Sequence, residues 1–133
     1  GPRPSPFTLE ICAALGFLWT GDYGNSDVPY RIDVNGKKLI SLGYVRPAYT
    51  DNDLLPLGLA GALQQLKDEF AAHYEESAVQ PMKFRYAMHN FTGGRPGLAQ
   101  VFERFLEYVK SHRGVWYCRC IDIADFWAAH DGA

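Results

Sequence analysis

The stretch MKFRYAMHNFTGGRP, residues 82–96, carries the clearest sign of the architecture. In residues 82–88 apolar side chains alternate with others, which is typical of a half-buried strand. His89 comes next, and a glycine-rich loop then leads to Pro96, a residue favoured in the first turn of a helix. The sequence therefore predicts a strand, a loop that begins with histidine, and a helix.

The elements after this stretch extend the same alternation. The helix is predicted over residues 96–112, a second strand over 115–118 and a last helix over 122–130. Strands that alternate with helices favour parallel strands joined by crossover helices, which is an α/β architecture. Ligand sites of such sheets and barrels lie where the strands end at their carboxyl side, and His89 occupies such a position.

The first half contains a β-hairpin signal. Residues 30–34 and 37–42 have strand character and flank Asn35-Gly36, a pair that tolerates the positive φ angles of a two-residue turn. Before them, Ser5-Pro6 predicts the start of a helix that ends at Gly16. A short buried strand is predicted over residues 17–20.

Two further segments lie between the hairpin and the strand predicted over residues 82–88. Residues 43–53 are polar and aromatic without periodicity, which predicts a loop of the kind that often carries function. Residues 57–77 place apolar side chains at helical spacing and predict an amphipathic helix. Its expected apolar positions are Leu59, Leu63, Leu66, Phe70 and His73-Tyr74.

Composition limits the classes of function. The chain has 133 residues, 47% hydrophobic and 21% charged, which is typical of one globular domain. Its formal charge of −2 gives no basic surface for nucleic acid. No uncharged run is long enough to cross a bilayer, and the amino-terminal residues do not resemble a signal peptide. We expect neither nucleic acid nor membrane as a partner, and a cytoplasmic location.

Neither the cysteines nor the histidines have metal-ligand spacing. The three cysteines, Cys12, Cys118 and Cys120, are an odd number, which argues against a disulfide framework and favours small buried side chains. A metal or redox role for Cys118 and Cys120 is the less favoured alternative. No two histidines lie four residues apart, so we expect no catalytic metal to be bound by this chain alone.

His89 is the best candidate for chemistry, because a histidine at the carboxyl end of a strand can face a pocket and exchange protons near neutral pH. The alternative is an ordinary hydrogen-bonded histidine. Arg95 follows Gly93-Gly94 at a helix start, where an anion could bind, although one such loop is a weak signal. Further loop residues suit a small polar ligand, or are simply surface residues: Arg3, Tyr44, Asn52 and Asp53.

Several motifs together resemble the polysaccharide deacetylase family, in particular its allantoinase and cyclic-imide-hydrolase branch. The matching stretches occur in the same order over residues 3–127. They are Arg3-Pro4-Ser5-Pro6-Phe7-Thr8, the segment 16–23, Asp27-Val28-Pro29-Tyr30, Thr50-Asp51-Asn52-Asp53, Met88-His89 with Gly94-Arg95-Pro96, the segment 105–109, Val115-Trp116 and the segment 120–127.

The resemblance implies the C-terminal half of a deformed (β/α) barrel with a hairpin insertion, forming one domain over residues 1–133. In the family a divalent metal, zinc or similar, activates water to attack an amide, imide or acetamido carbonyl. Its ligands and the catalytic aspartate come from the N-terminal half. His89 matches the family's late histidine, a general acid or stabiliser of the tetrahedral intermediate, and Arg3 falls in the arginine motif.

Two functions are compatible with this resemblance. In the first, the chain is half, or one subunit, of a metal-dependent hydrolase of small amide or imide substrates. A second chain carrying the N-terminal barrel half, or self-association, then completes the enzyme. In the second, the chain is an inactive remnant that serves as a binding or scaffold module. Half a barrel leaves sheet edges and an apolar interior uncovered, which favours the first.

Overall fold

The computed structural model describes residues 4–44 and 50–130. The chain forms two compact units, which we describe separately. One consists of Gly1–Val45 with Tyr117–Ala133, and the other of Arg46–Trp116. The predicted Arg3 site residue lies outside the described residues.

The first unit contains a three-stranded sheet with helices. Helix α1 is followed by strands β1, β2 and β3, and helix α5 is the last element of the chain. The strand order is β1-β3-β2, with β1 parallel and β2 antiparallel to β3. The bounds are Thr8–Ala14 for α1, Trp19–Thr20 for β1, Tyr30–Val34 for β2, Lys37–Ser41 for β3 and Cys120–Ala129 for α5.

The predicted hairpin is confirmed. Strands β2 and β3 pair from Tyr30 opposite Ser41 to Val34 opposite Lys37. Asn35 has φ 54° and Gly36 φ 79°, the left-handed conformation that a tight two-residue turn requires.

The second unit is mainly helical. Its elements are α2 at Asp51–Leu54, a 3₁₀ turn at Leu55–Leu57, α3 at Gly58–Glu76 and α4 at Pro96–Lys110. Helices α3 and α4, both predicted, pack apolar faces against each other. The buried core consists of Leu54, Ala62, Leu66, Phe70, Leu98, Val101, Phe102, Phe105 and Val109.

Within residues 4–44 and 50–130, the two segments predicted as parallel strands, 82–88 and 115–118, are not paired as regular strands. Ala87 makes one isolated parallel bridge, to Thr50. The alternation identified only some of the buried positions. Phe84 and Tyr86 pack against the helical core, but Lys83 is also buried and Met88 is 50% exposed. A strand needs, besides an apolar pattern, the backbone hydrogen bonds of a neighbour.

Two smaller expectations are also wrong. Residues 51–54 form α2, so the predicted loop over residues 43–53 ends in a helical turn. Leu59 was placed on the buried face of the following helix, yet its side chain is 53% exposed. Within the described ranges, no helix is long and apolar enough to cross a membrane.

Candidate functional site

A buried carboxylate holds His89 in place. Asp51 is completely buried, and its Oδ1 atom accepts a hydrogen bond from Nδ1 of His89 at 2.6 Å. Its Oδ2 atom accepts the backbone N–H groups of His89 and Gly93, each at 2.8 Å. One side chain thus fixes both the ring and the backbone of the histidine loop.

The positions of these residues follow from local structure. The backbone N–H of Asp51 donates to the carbonyl of Ala87 at 3.2 Å, which brings the start of α2 beside the residues that precede His89. Asp53 stabilises the same helix start, since its Oδ2 accepts the backbone N–H of Thr50 at 3.2 Å and the Thr50 hydroxyl at 2.7 Å. A carboxylate three residues after a threonine is a recognised helix-start arrangement.

The pKa of Asp51 reflects opposing effects. Burial alone raises the pKa of a carboxyl group, because it penalises the charged form. Hydrogen bonds from the His89 ring and from the backbone N–H groups of His89 and Gly93 oppose this effect, and the net result is a pKa below the ordinary value of 3.8. Asp51 is therefore ionised at neutral pH.

An ionised Asp51 fixes the tautomer of His89. A carboxylate can only accept hydrogen bonds, so the proton between the two residues lies on Nδ1 of the imidazole. The other ring nitrogen, Nε2, makes no hydrogen bond to the described residues, and the side chain is 41% exposed. The imidazole thus presents Nε2 as a group that can accept or donate a proton.

The loop after His89 is shaped around the carboxylate. The backbone N–H of Gly93 also donates to the carbonyl of His89 at 2.8 Å, closing a turn. A β-carbon at position 93 would lie 3.0 Å from Oδ2 of Asp51 and 2.9 Å from Cε of Met88. Only glycine fits here without displacing the carboxylate or the methionine.

Tyr86 adds a polar group to the same region. Its ring packs against Phe102 at a centroid distance of 4.9 Å. Its hydroxyl is buried and has no hydrogen-bond partner among the described residues. Burial, together with the charges of Asp51 and Asp53, raises the pKa of Tyr86. The hydroxyl therefore stays neutral at physiological pH.

The structure brings together some of the residues proposed from the sequence. His89 lies at the site described above, and Asp53 is occupied in the capping interaction with Thr50. Asn52 and Arg95 are exposed residues of the same unit, and Tyr44 belongs to the other unit. The substrate-binding roles of Tyr44, Asn52, Asp53 and Arg95 remain predictions.

Asp51 is a member of the candidate site that the sequence does not single out. Asp51, Asn52 and Asp53 stand in one motif, and only the last two were selected as ligand-binding candidates. The Thr50-x-x-Asp53 spacing identifies Asp53 as the capping carboxylate. Assigning Asp53 to the cap leaves Asp51 as the carboxylate available for another partner.

The described residues do not fit a metal ion. They contain no group of three or more histidine, cysteine or acidic side chains that could hold one. Asp51, the carboxylate nearest to His89, already accepts three hydrogen bonds with its two oxygens. The cysteines Cys12, Cys118 and Cys120 are free thiols.

The chain is similar in sequence to a known protein. No family model matches the sequence. A Schizosaccharomyces pombe protein assigned as a polysaccharide deacetylase is 28% identical over 109 residues, which cover 81% of this chain and 31% of that protein.

Solved structures show the same relationship. The Puue allantoinase matches with a TM-score of 0.87 and 31% identity, over 97% of this chain and 45% of its own. A Pseudomonas aeruginosa PAO1 protein assigned as a polysaccharide deacetylase gives 0.86 and 29%, with the same coverage. A Mycobacterium smegmatis protein of the same assignment gives 0.82 at 23% identity, over 96% of this chain and 46% of its own, and shows the fold alone.

The fold is that of a partial barrel of the polysaccharide deacetylase type, as the sequence predicted. The curated relative and the solved structures all point to the polysaccharide deacetylase family, including allantoinase, and the chain corresponds to the C-terminal part of these proteins. It spans less than half the length of each relative.

Proposed function

We propose that this chain forms the later part of a hydrolase of non-peptide C–N bonds, of the deacetylase or allantoinase type. The observation that carries the proposal is the Asp51–His89 pair, in which a fully buried carboxylate fixes the tautomer of a part-exposed imidazole. The similarity to an allantoinase and to proteins assigned as polysaccharide deacetylases supports this reaction class.

His89 acts as the proton donor in this proposal. When a tetrahedral intermediate at an amide or imide carbon collapses, the departing nitrogen needs a proton, and Nε2 of a protonated imidazole supplies it. Asp51 stabilises the imidazolium and keeps the ring oriented. After the transfer the neutral ring retains its Nδ1 proton toward Asp51, ready to be protonated again.

We further propose that a divalent metal, zinc or similar, and the general base are held by residues outside the described part of this chain. The described residues offer no three-ligand cluster. The relatives are about twice as long as the matched region, which leaves room for such residues in them. Intact-mass measurement of the native assembly, with elemental analysis, tests whether a second polypeptide and a metal accompany this chain.

The role of His89 is tested by His89→Ala in the native assembly. Positioned acid–base groups typically contribute about 10²–10⁴-fold to turnover, and we expect a loss of that size. His130→Ala is the matched control, because His130 is an exposed histidine near the end of α5. Steady-state kinetics and thermal melts of both variants are compared. Unchanged turnover in His89→Ala, with a lowered melting temperature, would reject the catalytic role.

A further inference from the structure

An apolar groove lies beside the histidine loop. It runs between the 3₁₀ turn, the start of α3 and the start of α4, and its volume is about 360 Å³. This size is within the usual range of small-molecule sites. The lining residues are Leu55, Leu59, Phe91, Thr92, Arg95, Gly97 and Leu98.

The groove exposes large apolar side chains at one place. Phe91 is 69% exposed, and Leu55 and Leu59 are each 53% exposed. Scattered apolar residues on a surface need no explanation, but a cluster around one groove marks a surface that contacts another apolar group, either a ligand or residues that complete the barrel. Gly97 lies close to Leu59 in this groove, since a β-carbon at position 97 would be 3.0 Å from Cδ1 of Leu59.

Phe91 connects the groove to the candidate proton donor. Its ring lines the groove and also packs against the His89 ring, with a centroid distance of 5.3 Å and an interplanar angle of 37°. A small molecule in contact with His89 can therefore extend along Phe91 toward Leu55 and Leu59.

We propose that the groove is a substrate subsite for an alkyl or aryl substituent and that Phe91 determines this specificity. The inference rests on the proposed amide or imide hydrolysis at His89. Apolar side chains dominate the lining, and Thr92 and Arg95 are its main polar members. Such a lining offers few hydrogen-bonding groups and favours an apolar substituent over a polar one.

Binding of two matched amides to the full chain tests the subsite without requiring turnover. Benzamide and acetamide share the amide group and differ in the apolar part. We expect benzamide to shift the backbone NMR signals of Phe91, Thr92 and Gly97, and to bind at least about tenfold more tightly than acetamide. Phe91→Ala should remove most of this preference, because it deletes the ring that joins the groove to His89.

Leu106→Ala is the matched control, because Leu106 is 47% exposed on α4 and does not line the groove. It should keep the preference for benzamide. Equal binding of the two amides to the unsubstituted chain would overturn the inference, as would an unchanged preference in Phe91→Ala. This readout is independent of His89→Ala kinetics, so failure of the subsite is distinguishable from failure of the proposed reaction.

Discussion

Two contacts between a carboxylate and a basic side chain have the same length but very different surroundings. The contact between Asp51 and His89 and that between Asp122 and Arg119 each measure 2.6 Å. Asp51 is fully buried, whereas the Arg119 side chain is 80% exposed at the start of α5. Distance alone therefore does not indicate how much such a contact contributes to stability.

The pKa values of the two carboxyl groups show how the surroundings of the two pairs differ in effect. Hydrogen bonds from the side chain and backbone of Arg119 lower the pKa of Asp122 to about 2. At Asp51, burial works against the hydrogen bonds, and the pKa is still lowered. The buried carboxylate depends on its donors to remain charged, while the exposed one can exchange its donors for water.

Removal of the buried carboxylate should have the largest effect on stability. Asp51→Ala leaves the backbone N–H groups of His89 and Gly93 without their acceptor, and we expect a loss of about 3 kcal/mol in the free energy of unfolding. Urea unfolding of the two proteins measures this loss. A loss smaller than roughly 1 kcal/mol would show that the buried pair is no more important than a surface pair.

The same contribution should depend on pH in a defined direction. Because the folded pKa of Asp51 lies below its ordinary value of 3.8, its stabilising effect is present above pH 3.8 and is lost as the pH falls through the folded pKa. The difference in unfolding free energy between the unsubstituted protein and Asp51→Asn should therefore shrink below pH 3.8. A difference that stays constant down to the acid transition would contradict this account.

The exposed pair should give the smallest effect. Arg119→Ala removes the side-chain contacts to Asp122 but keeps the backbone N–H of residue 119, which donates to Asp122 Oδ2 at 2.7 Å. We expect little or no change in the urea midpoint, and less change still in high salt. A loss comparable to that of Asp51→Ala would remove the distinction between the two pairs.

Local signals made part of the fold predictable. Asn35 and Gly36 are residue types that adopt the positive φ angles of a tight turn. In α4, apolar residues at helical spacing form one face, and this face is buried over several turns. Residues 82–88 differ, because their backbone pairing depends on neighbours far along the chain, and in the part of the chain that the structure describes this pairing is a single bridge between Ala87 and Thr50. The alternating pattern identified Phe84 and Tyr86 as residues that face the core, but neither the burial of Lys83 nor the backbone hydrogen bonding of the segment.

The candidate site shows the same limit. His89 was identifiable because its residue type and its place after an alternating segment are both visible in the sequence. Asp51 lies 38 positions away along the chain, and its burial is a tertiary property. The spacing of Thr50 and Asp53 shows which carboxylate caps the helix. It does not show which residue Asp51 binds.

Gly93 shows that a position can be sensitive to substitution without taking part in chemistry. It contributes no side chain, yet any larger residue would press on the Asp51 carboxylate and disturb the orientation of His89. In a saturation-mutagenesis screen scored for function, position 93 should therefore be sensitive to replacement, and more so as the side chain becomes larger. Intolerance at that position would reflect the space that Asp51 needs in order to orient His89, the proposed proton donor. A ranking of positions by mutational sensitivity would then include a residue that performs no chemistry itself.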